Sequence, residues 1–62
     1  MPESVERAIR YRDTLFDLAD QHDRVSLREL AWRVDTEYVQ TGIGLTPETE
    51  HSILREASEC LR

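Results

Sequence analysis

The chain has no lysine. All eight of its basic residues are arginine, and they face 13 Asp and Glu, for a formal net charge of −5 over 62 residues. A chain of that sign lacks the field that draws a protein unaided onto a phosphate backbone. Cysteine occurs once, at Cys60, so no intramolecular disulfide can form, and the expected compartment is a reducing cytoplasm. No apolar run approaches the roughly 18 residues of a membrane span, so no membrane partner is expected. The leading stretch Met1-Pro2-Glu3-Ser4-Val5-Glu6 is acidic where a secretory signal is basic.

Chemistry-bearing patterns are equally scarce. There is no C-x-x-C, no H-E-x-x-H and no glycine-rich phosphate loop, and Gly42-Ile43-Gly44 is only G-x-G. His51 and Cys60 are nine residues apart on one expected helix, about 180° of rotation, and cannot share a metal from it. His22 reads as a cation near a helix C-terminus, where it complements the dipole, and Cys60 as a small core residue. No catalytic residue, metal ligand, cofactor or small-molecule substrate is therefore expected. Sixty-two residues make one domain, over 1–62. A domain of that size buries only about 60% of its unfolded surface, which makes a protein partner or a second copy an expectation.

What is present is helical periodicity, over about 4–22, 27–39 and 47–61. In the first segment Val5, Ala8, Ile9, Leu15, Phe16 and Ala19 recur at spacings of three and four, widened by Tyr11 and Leu18. Glu6, Asp13, Asp17 and Asp20 share the opposite side, and Arg12 falls inside the apolar arc. Ser26-Leu27-Arg28-Glu29 reads as a capping box, with Val25 and Leu30 as its hydrophobic staple. Leu27, Leu30, Ala31, Val34 and Tyr38 then form a narrow stripe, and Trp32 and Val39 project away from it, roughly 120–140° from Leu27. Residues 40–45 hold two glycines and read as a loop folding back through Ile43 and Leu45. Thr46-Pro47-Glu48 opens the third helix with an N-cap, a proline at N1 and an acid in the first turn. Ile53, Leu54, Ala57, Cys60 and Leu61 share its apolar face, with Glu50 inside that arc. The fold class this predicts is an all-α three-helix bundle.

Tyr11-Arg12-Asp13-Thr14-Leu15-Phe16-Asp17-Leu18-Ala19, followed by Val25-Ser26-Leu27-Arg28-Glu29-Leu30-Ala31, resembles the first two helices of helix-turn-helix and winged-helix domains. The cap Leu45-Thr46-Pro47-Glu48 is similar to the third-helix start in small winged-helix-like domains of halophilic archaea. The resemblance runs over about residues 5–61 and is to a wingless form. It implies a small transcription regulator whose third helix binds DNA, directly or through a DNA-bound partner. The acid-rich, lysine-free composition also looks like that of halophilic proteins, with a GC-rich genome as the other source of arginine bias. The halophilic reading predicts greater stability at molar salt, where the Debye length falls to about 3 Å.

Under the DNA-binding expectation the exposed side of the third helix offers His51, Ser52, Arg55 and Arg62, and the second helix offers Arg28 and Arg33 toward the backbone. Glu48, Glu50, Glu56 and Glu59 oppose it. The competing class is an acidic, self-associating protein-interaction adaptor without DNA binding. Its expected surface is Trp32 and Val39 with Ile43 and Leu45, since tryptophan is enriched among interface hot spots. The alternative for those residues is a second small core, with Ile43 and Leu45 folded over Trp32 and Val39. Arg12 and Glu50, each on an apolar face, are expected either to pair between helices or to sit at the rim with the Arg12 stem buried.

Overall fold

A computed structural model describes residues 2–62. Three α-helices are present, α1 (Glu3–His22), α2 (Val25–Val34) and α3 (Pro47–Cys60), with a π-helical turn over Asp35–Val39 continuing α2. No strand occurs among the described residues, so the fold is an all-α three-helix bundle. None of the described helices is long and apolar enough to cross a membrane.

The helix boundaries follow from local chemistry, with two corrections to the sequence reading. α1 ends as Asp23 turns into the left-handed region (φ 51°, ψ 50°) and the Arg24 amide donates to the Ala19 carbonyl at 3.1 Å. The chain then needs only extended Arg24 before α2 begins at Val25. Ser26 is already inside the first turn, and no side chain caps α2. The expected capping box therefore does not form. Its staple is absent too, since Val25 stays 66% exposed while Leu30 is buried. At α3 the cap forms as expected: the Thr49 amide donates to Thr46 Oγ1 at 3.2 Å, with Pro47 at the first helical position.

The second correction concerns the far end of α2. The expected uninterrupted helix to Val39 widens at Asp35, where the Gln40 amide reaches back five residues to the Asp35 carbonyl at 2.9 Å. Hydroxyls take up neighbouring carbonyls: Thr36 Oγ1 donates to Trp32 O at 3.1 Å, and Thr41 Oγ1 donates to Glu37 O at 2.7 Å. The extra residue per turn changes which side chains face inward. Val39, expected to project outward beside Trp32, is instead half-buried against the core.

Helix directions are read from cross-helix pairs. Asp20–Arg28, Phe16–Trp32 and Arg12–Asp35 descend along α1 as they ascend along α2, so the two helices are antiparallel. Ala8, Ala19 and Ala31, all fully buried, let their backbones approach closely. Ser26 and Glu29 line a groove with Glu59 and Cys60, and Glu37 and Tyr38 line another with Thr49 and Ser52. α3 therefore runs antiparallel along α2, back in the direction of α1. The core comprises Ala8, Leu15 and Ala19 of α1, Leu27, Leu30, Ala31 and Val34 of α2, Ile53 and Ala57 of α3, and Leu45 of the loop.

Leu45 enters that core because the loop docks on the start of α1. The Leu45 amide donates to the Ser4 carbonyl at 3.0 Å, and the Gly44 amide donates to Tyr38 O at 2.8 Å. Gly44 has φ +76°, and a Cβ there would lie 2.4 Å from the Ser4 carbonyl carbon. Glycine is thus required twice at one position, by its dihedral angle and by contact.

Candidate interaction surface

Two of the four residues of the expected partner surface, Val39 and Leu45, are drawn inward by the fold. Leu45 is fully buried within its own chain and cannot anchor a partner. Val39 is half-buried. Ile43 is 67% exposed and Trp32 55% exposed, so the alternative second core over Trp32 does not form either. The physical reason is the Ser4–Leu45 hydrogen bond, which ties the loop to the α1 N-terminus.

Trp32 rests instead against α1. Its ring meets Phe16 edge to face, with centroids 5.2 Å apart and planes 84° apart, the arrangement favoured by aromatic quadrupoles. Phe16 is half-buried. Val25, seven residues before Trp32 on the same side of α2, extends the exposed apolar strip. Acids border it. Asp13 and Asp20 stand three residues before and four after Phe16, and Glu29 stands three before Trp32. Asp20 is held by Arg28 at 3.0 Å.

The α3 apolar face also differs from expectation. Ile53 and Ala57 are buried and Cys60 is half-buried against the core, but Leu54 and Leu61 remain 52% and 39% exposed. α3 presents its core stripe through Ile53 and Ala57, leaving the flank that carries Leu54 and Leu61 in solvent. Sequence periodicity assigns all of these residues to one arc, because a shallow contact and a deep one have the same period.

Among the expected DNA contacts, Arg28 is paired with Asp20 and Arg33 with Glu56. Both guanidinium groups are thereby engaged in tying the helices together. His51, Ser52, Arg55 and Arg62 are exposed on or just beyond α3, as the sequence reading places them. Among the described residues, Arg10, Arg24, Arg55 and Arg62 make no ion pair within the chain.

The expected Arg12–Glu50 pair is not formed. Arg12 donates from Nη1 to Asp35 Oδ1 at 2.6 Å and from Nη2 to Asp13 Oδ1 at 3.0 Å. Glu50 lies on the opposite flank of α1, 3.7 Å from Arg7. Asp35, whose amide still bonds the Ala31 carbonyl four residues back, falls on the inward stripe of α2 by ordinary helical spacing and so meets Arg12. Gln40 Nε2 donates to the other Asp35 oxygen at 2.6 Å, so both carboxylate oxygens are satisfied. The Arg12 hydrogen bond, then that of Gln40, holds the Asp35 carboxyl below the usual aspartate range. The Asp35 hydrogen bond raises the Arg12 pKa in turn. Burial, then the nearby Glu50 charge, raises Tyr11, whose hydroxyl is buried without a partner.

Among the described residues, no three His, Cys, Asp or Glu side chains gather to hold a metal ion. No protein-family model, curated protein or solved structure matches the chain.

Proposed function

We propose that this chain is a small acidic protein-interaction module that self-associates, and that the Trp32 surface on α1 and α2 is where another chain is held. The observation that carries the reading is Trp32 itself. It is the only tryptophan, it is more than half exposed, and it is braced by Phe16. A rigid, pre-positioned aromatic beside half-buried apolar neighbours is the composition of an interface hot spot. The pairing of Arg28 with Asp20 and of Arg33 with Glu56 supports the same reading, since each acid offsets the positive charge its arginine would offer a phosphate backbone.

A second reading, a helix-turn-helix-type transcription regulator acting on DNA or on a DNA-bound partner, draws on the exposed row His51, Ser52, Arg55 and Arg62. One paired experiment separates the two. Light scattering of the free chain over a concentration series is set beside duplex binding over a salt series. The interaction reading expects a concentration-dependent mass and no duplex binding. A duplex affinity that falls steeply with salt, in a chain that stays monomeric, would replace it with the DNA reading.

A further inference from the structure

We propose that α3 is a lid: it opens from the α1–α2 pair as one unit while the loop before it stays docked, giving a partly open state in which the Trp32 surface is intact. The hydrogen bonds place the boundary. Among the described residues, the one hydrogen bond that joins residues 46–62 to the rest of the chain is the exposed Arg33–Glu56 contact, and no backbone hydrogen bond crosses there. Upstream, Leu45 is fully buried and its amide donates to Ser4 O at 3.0 Å, while the Gly44 amide donates to Tyr38 O at 2.8 Å. Downstream, Thr46 belongs to α3: its carbonyl accepts from the Glu50 amide at 2.9 Å, and its Oγ1 accepts from the Thr49 amide at 3.2 Å. The rotations that free α3 are therefore those on either side of the Leu45–Thr46 peptide, Leu45 ψ and Thr46 φ.

What holds the lid shut is slight. α3 gives the core Ile53 and Ala57, with Cys60 half-buried, where α1 and α2 together give seven residues. Arg7–Glu50 and Arg33–Glu56 tie it to α1 and α2, but all four side chains are more than a third exposed, so water and salt screen both pairs. Open grooves run along both flanks of the α2–α3 contact. Net charge opposes closure: residues 46–62 carry four acids against two arginines, a net −2, and face the remaining −3 of the chain. Off its support, a helix of 14 residues is marginal in water, so α3 loses its own hydrogen bonds as it opens. The α1–α2 pair keeps Phe16–Trp32, Arg12–Asp35 and Asp20–Arg28, none of which involves α3. Opening thus bares the side of α2 that Ile53 and Ala57 cover, edged by Leu30 and Tyr38, and leaves the Trp32 surface as it stands.

Native-state hydrogen exchange of the full chain over a urea series, read residue by residue by NMR, tests the lid. The Ile53 and Ala57 amides should exchange on the order of 100-fold faster than those of Leu15, Ala31 and Leu45, with a shallower urea dependence because less surface opens. Gly42→Ala locates the hinge. Its strained loop persists in the open state, so it should speed the Leu15, Ala31 and Leu45 amides by about 5- to 30-fold and leave Ile53 and Ala57 unchanged. Arg33→Gln removes a tie that partial and global opening both break, and should speed all five amides by a common factor of up to about fivefold. Amides of α3 that exchange together with those of α1 and α2, on one urea dependence, would overturn the lid. A Leu45 amide that exchanges with α3, or α3 amides that respond to Gly42→Ala, would overturn the hinge after Leu45.

Discussion

The loop that ends in Leu45 provides the sharpest test of how the bundle closes. Gly42 and Gly44 share one backbone conformation, φ +76°, but differ in surroundings: a Cβ on Gly42 meets nothing within 4 Å, whereas one on Gly44 meets Ser4 backbone at 2.4 and 2.6 Å. Gly42→Ala should therefore cost only the left-handed penalty, about 1–2 kcal/mol. Gly44→Ala carries the same penalty and also forces the loop off α1. That displacement forfeits the Leu45–Ser4 hydrogen bond, about 0.5–1.5 kcal/mol, and the burial of Leu45, about 1.5–3 kcal/mol. The expected total is about 3–6.5 kcal/mol, against a whole-domain stability of roughly 3–9 kcal/mol at this length. Urea unfolding followed by circular dichroism measures both variants. Gly44→Ala should be largely unfolded or nearly so, with Gly42→Ala folded and only mildly weakened. Two variants within about 0.5 kcal/mol of each other would refute the claim that contact with Ser4 anchors the loop.

Two further outcomes follow from the same geometry. The folded-state pKa of Asp35 is depressed, so its contribution to stability is present above the unfolded value of 3.8 and is lost as pH falls through the lower folded value. Urea midpoints of wild type should decline through that window, and Asp35→Asn should flatten that part of the decline; an unchanged pH profile would remove the Arg12–Asp35 pair from the account. Thr46→Ala should cost about 1 kcal/mol through loss of the α3 cap, whereas Ser26→Ala should change thermal stability by no more than about 0.5 kcal/mol. A comparable loss at Ser26 would reinstate the capping box.

The helices were legible because their signals are local: three- and four-residue spacing in α1, and a Thr-Pro-Glu start at α3. The start of α2 was misread because the left-handed Asp23 turn completes the reversal by Arg24, before Ser26 can act as a cap. Asp35 was missed although ordinary spacing places it on the inward stripe, four residues after Ala31 and eight after Leu27; the π turn that follows it leaves no local signal in the sequence. The widening accounts for the inward turn of Val39, whereas the Arg12–Glu50 pairing fails because Asp35 takes Arg12 and Arg7 takes Glu50. Trp32 stood out correctly as a residue off the core stripe. Leu54 and Leu61 did not, because periodicity reports direction around a helix and not depth against a neighbour.

The central claim is that another chain covers Trp32, and its own fluorescence measures this most directly, since the chain has one tryptophan. Acrylamide quenching over a protein concentration series should find Trp32 accessible in dilute solution and protected in concentrated solution. The midpoint should match the rise in mass seen by light scattering. Quenching that is unchanged across the series, in a chain whose mass also does not change, would contradict the account.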